Sequence, residues 1–492
     1  MGSGGRMWIF MEKKKVISSL IYKFIERLSV KGLGLIISIV LARMLAPEDF
    51  GQIAIMNVFI NLSQVIIEGG FTTALIQRKD VKEQDYSTVF FINIGLAAIC
   101  FVLLQFAAPL ISRYYEQDIT KPLQVYTITL FFNAFNALQL ARMQKRMEFR
   151  RIMVCSLIAT TISGIAGVMA AYCNFGLWAL ILYNMMNGVI MCVTAAFAER
   201  WLPKFEFSLH RAKLLFSYGW KMLISAILCS LYGDIRSLVI GKKFSSDDLA
   251  YYNRGQQFPQ VISHTLDSAI QSVMFPAMAA VQDEKAQLVK MLRRAETMGS
   301  YVIVPVMFGL AAVSEPVVQL LLTEKWLPCV PYMQWLCIAN AAVPILSSNL
   351  IVIKASGRSD IYMRLEFIRR LVMLFILLVS IFAFRSVKAI AIGFCISYWL
   401  DTVIAMCPMK MLLNYGPGKQ FAEVWKIIVI ALIMFVVVLG MSLLSWNILI
   451  LLVTQILVGV VVYVGLGYLF KIEAQTELVK LLAKVWKRKK DC

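Results

Sequence analysis

Apolar runs of roughly 20 to 28 residues follow one another along almost the whole chain, and at 1.5 Å per helical residue each crosses about 30 Å of hydrocarbon. A sequence written this way folds as an all-α polytopic membrane protein, here with about 14 transmembrane helices. The segments between the runs are too short to hold a soluble domain. With 60% hydrophobic and 16% charged residues, the composition is far from that of a water-soluble globular chain.

The formal charge of +20 does not signal nucleic-acid binding, because the bases are spread over short loops rather than gathered on one face. They follow the positive-inside pattern if both termini are cytoplasmic. The ten cysteines lie mostly inside apolar runs, with no CxxC pair and no metal-like spacing, so they read as packing residues. No cleavable signal is expected, since the head leads into a long anchor rather than a short apolar region with a small-residue cleavage site.

One junction is repeated. Leu41 to Gly51 (LARMLAPEDFG) runs a helix exit into a base, a proline, two acids and a glycine. Pro47 suits the first turn of the next helix, and Glu48 and Asp49 oppose its positive dipole end. Ile240 to Asn253 (IGKKFSSDDLAYYN) has the same order of residue types. Ala108-Pro109 before Arg113 likewise matches Glu315-Pro316 before Lys325, and the basic turn Arg142–Arg151 matches Lys354–Arg364. These pairs are offset by roughly 200 to 210 residues, as two parallel copies of one unit would be. The competing reading is that membrane helix ends reuse similar capping residues.

The expected organisation is a leader at 1–15, a first six-helix lobe at 16–200, a linker at 201–213 and a second six-helix lobe at 214–413. A hairpin of two further spans at 414–471 and a basic amphipathic tail at 472–492, suited to an anionic leaflet, complete the chain. Charges inside spans are the informative residues. Lys23, Arg27 and Lys31 fall on one stripe of the first helix, with Glu26 beside them, and fit either an interfacial helix or a wet cavity wall. The seventh run carries Lys221, Asp234 and Arg236; the eighth carries Arg254, His264 and Asp267 among several glutamines. A helix so polar lines a cavity rather than facing lipid. His264 and Asp267 share a face and read either as a hydrogen-bonded structural pair or as a proton-coupled one. The basic cluster at Arg142–Arg151 fits either membrane topology or a phosphate site.

Catalytic signatures are missing: there is no P-loop, HExxH, G-x-S-x-G or dinucleotide fingerprint, so no catalytic residue, metal ligand or cofactor is assigned. Transport driven by a gradient, or simple equilibration, is the leading class.

The chain resembles the Wzx-type polysaccharide transporters of the multidrug/oligosaccharidyl-lipid/polysaccharide (MOP) superfamily, above all the colanic acid and teichuronic acid exporters. The likeness is carried by IERLSVKGLGLIISIVLARMLAPEDFGQIA at 25–54, GGFTTALIQRKD at 69–80 and QDYSTVFFINI at 84–94. It continues through LVIGKKFSSDDLAYYNRGQQFP at 238–259, VMFPAMAAVQDE at 273–284 and LLLTEKW at 320–326. The resemblance implies two pseudo-symmetric six-helix lobes around a central cavity, in a flippase of the bacterial cytoplasmic membrane. It implies a polyprenyl-pyrophosphate-linked oligosaccharide as cargo, membrane lipids around it, and a polysaccharide polymerase and export machinery as partners.

A pyrophosphate or acidic sugar would be drawn to bases in such a cavity. Arg27, Lys31, Lys221, Arg236 and Arg254 are the candidates for that role, with Glu26, Asp234, His264 and Asp267 as candidates for ion coupling. Two rivals stand beside this reading. A MATE-like drug/cation antiporter would favour acidic cavity residues, and a membrane polysaccharide polymerase or ligase would need a larger outer loop than any found here.

Overall fold

A computed structural model describes residues 29–68, 70–72, 75, 81–201, 203–444 and 446–480; for 214–219, 221, 222 and 359 it describes the backbone alone. Glu26, Arg27 and the basic end of the tail lie outside the described residues. Every described element is helical. After α1 (29–44) come α2 (Pro47–Glu68), α3 (Glu83–Tyr115), α4 (Thr120–Tyr126), α5 (Thr129–Lys145), α6 (Phe149–Tyr172), α7 (Leu177–Glu199) and α8 (Leu209–Lys243). The polar α9 (Ser246–Ala280) follows, then α10 (Lys285–Ala312), α11 (Ser314–Leu322), α12 (Val330–Asn340) and α13 (Val343–Ala355). The series ends with α14 (Ser359–Ala383), α15 (Val387–Leu413), α16 (Pro417–Met441) and α17 (Ile448–Leu469).

Among the described residues, 10 segments are long and apolar enough to cross a membrane. Charge and length decide which helices fall outside that set. At 35 residues α9 is among the longest helices, but Arg254, His264, Asp267 and its glutamines dilute it; α14 carries Glu366, Arg369 and Arg370. The 17-residue α5 is short because the apolar stretch of α4 and α5 is broken at Thr127–Ile128. The stretch of α12 and α13 also breaks at Ala341–Ala342, where Pro344 sits in the first turn of α13, but Glu324–Ala355 as a whole counts among the 10.

The chain divides into two compact units, Met1–Ala250 and Tyr251–Cys492. In unit 1 the repeated junction has one local geometry in both copies. The Asp49 carboxylate accepts from the Ala46 N–H at 3.1 Å, and the Asp248 carboxylate from the Ser245 N–H at 3.4 Å. Asp248 N–H in turn donates to Ser245 Oγ at 3.0 Å, completing a reciprocal cap at the head of α9. The echo in sequence is therefore an echo in capping chemistry.

The two junctions also touch, and the glycine of the first makes this possible. A Cβ on Gly51 would stand 2.0 Å from the Ser246 carbonyl oxygen, a backbone atom at the start of α9 that cannot swing aside. Gly51→Ala is expected to push α2 off this turn and destabilise the protein by about 1–3 kcal/mol, the usual range for overpacking. Thermal unfolding in detergent measures it. Gly34→Ala, with nothing within 4 Å of the added carbon, should leave the midpoint in place.

The linker lies along the first turns of α3. Trp201 Nε1 donates to Glu83 at 2.7 Å, the Lys204 N–H to Ser87 Oγ at 3.1 Å, and Arg211 pairs with Asp85 at 2.6 Å. The tail is described to residue 480. Over that stretch Ile472 and Ala474 are buried, while Glu473 and Glu477 pair with Arg293 and Arg294 of α10 at 3.1 and 3.0 Å, so this part is held to unit 2 by protein contacts.

Candidate functional site

The sequence candidates are distributed over both units. In unit 1, Lys31 is exposed on α1 and Arg236 is buried on α8, while the Asp234 carboxylate meets the Asn61 side chain of α2. Lys221 lies on α8, where the backbone alone is described. In unit 2, Arg254 is buried with its guanidinium 5.3 Å over the Trp326 ring and donates to Gln257 at 2.6 Å. His264 and Asp267 reach a cavity.

That cavity, about 260 Å³ in volume and open on one side, is lined by α9, α13, α14 and α15 of unit 2. Its size suits one sugar ring or phosphate group rather than a whole oligosaccharide, falling just below the roughly 300 Å³ at which drug-sized pockets begin. The wall is charged. Lys354, Arg369 and Arg370 line it together with Asp267 and Glu366, and His264, Gln271 and Ser347 add further hydrogen-bonding groups. Ser347 Oγ donates to Asp267 at 2.5 Å and Gln271 donates to the same carboxylate, so α9 and α13 are bonded across one corner.

The α14 side is an ion-pair chain. Glu366 takes Arg369 at 2.8 Å and Arg370 at 3.0 Å, using the three- and four-residue spacings of one helix face. Behind the wall, Asp401 near the middle of α15 stands 3.5 Å from Arg369. Arg369 lies about 15 Å along α14 from its start, and a largely buried guanidinium there is kept by its carboxylate partners. Lys354 caps the opposite side, its ammonium 4.8 Å from the Tyr362 ring centroid. The arrangement offers hydroxyl-matching groups and two or three cations to an anionic, polyhydroxylated group.

Sequence reading singled out His264 and Asp267 but not Lys354, Glu366, Arg369 and Arg370. A signal was present in the Glu366–Arg369–Arg370 spacing together with Asp401 in an apolar run. The sequence reads these bases as the basic edge of a span, which membrane topology alone produces, and this masked them.

In the basic turn of unit 1 the bases are used differently. Arg142 is buried and saturated: it bonds Glu199 and Glu83 at 2.8 Å each and lies 4.5 and 4.9 Å over the rings of Tyr86 and Trp201. Arg146 adds a second cation to Glu199 at 3.1 Å. These bases hold α3, α5 and α7 together. Among the described residues no group of Asp, Glu, His and Cys has the makings of a metal site.

Comparison with known proteins adds three findings. Residues 40–331 match the model of a family described as polysaccharide biosynthesis protein. Among curated relatives, the succinoglycan biosynthesis transport protein ExoT of Rhizobium meliloti is 22% identical over 349 residues, covering 71% of each chain. The lipopolysaccharide biosynthesis protein WzxC of Escherichia coli is 26% identical over 361 residues, 71% of this chain and 72% of that one. Among solved structures, the lipid II flippase MurJ superposes with a TM-score of 0.74 at 17% identity, over 92% of this chain and 98% of that one. At that identity the likeness is one of fold.

Proposed function

The chain belongs to the polysaccharide biosynthesis protein family, and from that premise we propose that it is a flippase for a polyprenyl-pyrophosphate-linked oligosaccharide, working by alternating access. One observation carries the reading: a chain built of apolar helices keeps a charged, hydroxyl-lined cavity inside unit 2. Clustered charge among apolar membrane helices is expected to mark a substrate path. Three cations against two carboxylates on the wall favour an anionic cargo over the cations of a drug antiporter. The relatives' names, a succinoglycan transport protein and a lipopolysaccharide protein, support a saccharide cargo.

The finer architecture belongs to the same proposal. The chain has about 14 spans in two six-helix lobes and a final hairpin, both termini are cytoplasmic, and the membrane is the bacterial inner one. Of the sequence candidates, Asp267 and His264 serve the cavity of unit 2. Lys31, Lys221, Arg236 and Arg254, with Arg27, are assigned to attracting the pyrophosphate along its path.

Reconstitution tests the activity. Protein in liposomes should move a lipid-linked oligosaccharide, extracted from cells lacking the gene, from one leaflet to the other, as read by its exposure to an impermeant sugar-modifying reagent. Protein that instead joined supplied units into polymer in detergent would be an enzyme, and the flippase reading would fall.

A further inference from the structure

Two buried polar atoms beside the unit 2 cavity have no hydrogen-bond partner among the described residues: Nε of Arg369 and Oδ1 of Asp401. They belong to neighbouring side chains in an unequal arrangement. Arg369 gives Nη1 to Glu366 at 2.8 Å, while its Nη2 is 3.5 Å from Asp401 Oδ2. Asp401 is only 7% exposed. Leaving a buried donor and a buried acceptor unmade is costly, and one movement would satisfy both. If the guanidinium turns fully to Asp401, its Nε and Nη2 edge meets both carboxylate oxygens in the two-pronged geometry that guanidinium and carboxylate favour. Glu366 then keeps Arg370, already 3.0 Å away.

In this structure Arg369 holds Glu366 closely, at 2.8 Å, and Asp401 only loosely, at 3.5 Å. Arginine stays charged in either position, so the difference falls on the carboxylate it leaves. Glu366 has a second cation in Arg370, whereas Asp401 has only Arg369 among the ion pairs of the described residues. A buried carboxylate without its cation is neutralised by a proton.

We propose that Asp401 is a proton-binding site governed by Arg369, which acts as a toggle: held in the cavity it leaves Asp401 protonated, and swung back it releases that proton. The step is a single proton transfer between Asp401 and cavity water, with no other bond made or broken. On the flippase reading, an anionic cargo group holds Arg369 forward as Glu366 does, so cargo binding and proton uptake favour each other. Glu366, Arg370, Lys354, His264 and Asp267 face this pair from α14, α13 and α9. α12, also packed on α15, carries no Asp, Glu, His, Lys or Arg; Glu296 of α10 is bonded to Asn349, and Glu423 of α16 to Arg293.

Infrared difference spectra of the purified protein, stepped through about pH 5 to 8, read the protonated carboxyl directly and need no cargo. The expected result is a protonated-carboxyl signal that Asp401→Asn removes. Glu366→Gln frees Arg369 to go back and should lower the midpoint of the signal by at least one pH unit, a tenfold weaker proton affinity. Removing a neighbouring negative charge also lowers that midpoint, so the same substitution is made in an Arg369→Gln background, where the toggle is gone and its effect should shrink to a small remainder. Arg369→Lys, which keeps the charge but not the two-pronged grip, serves if the glutamine variant does not fold. A signal that survives Asp401→Asn, or an equal Glu366→Gln effect with and without the Arg369 guanidinium, overturns the proposal. In liposomes, Asp401→Asn should still translocate lipid-linked oligosaccharide but ignore an imposed pH gradient; absence of translocation by the unaltered protein would count against the flippase reading and leave the titration standing.

Discussion

Replacing Arg142 with alanine is expected to destabilise the protein by about 3–5 kcal/mol, the range found when one partner of a buried ion pair is removed. The cost arises at Glu199, whose side chain is fully buried and would keep only Arg146, a residue half exposed at its own end. Glu83, Tyr86 and Trp201 lose the guanidinium at the same time, so α3, α5 and α7 lose a shared centre. A large drop in the amount of protein in the membrane and in its unfolding midpoint in detergent are the readouts. Glu199→Gln added to Arg142→Ala should recover part of the loss by removing the stranded charge. Arg151→Ala breaks a pair with Glu148 at the surface and should cost less than about 1 kcal/mol. If the two single variants behaved alike, the turn would be a solvated basic loop and not a clamp.

The second large effect concerns transport and leaves folding alone. Lys354→Ala together with Arg370→Ala removes two cations from the cavity wall while leaving Glu366 its nearer partner, Arg369 at 2.8 Å. Each charge-assisted hydrogen bond to an anionic cargo group is worth about 1.5–3 kcal/mol, so the double variant should export polymer about a hundredfold more slowly. Its amount in the membrane should match that of the unaltered protein. Export at the normal rate would place the cargo path elsewhere.

The sequence was most legible where one residue has one local job. Pro47, Glu48 and Asp49 announced the start of α2. The pairing of Asp49 with Asp248 proved to be a pairing of capping geometry. Polar α9 does line a cavity, at His264, Asp267 and Gln271.

What stayed illegible depends on which neighbour a side chain meets. Arg142 in the last turn of α5 and Arg370 near the middle of α14 are bases of the same kind, yet one is consumed by Glu83 and Glu199 and the other opens onto a cavity. The acids that decide the matter lie 59 and 57 residues from Arg142, beyond any periodicity. Gly51 shows the same limit, since nothing local to it reveals that Ser246 will press against its α-carbon.

The most direct measurement is to delete the gene and determine on which face of the membrane lipid-linked oligosaccharide gathers, using a reagent that cannot cross. A flippase predicts accumulation on the cytoplasmic face, relieved by the unaltered gene and not by the Lys354→Ala, Arg370→Ala form. Cargo that still reached the outer face and gathered there as unpolymerised units would contradict it.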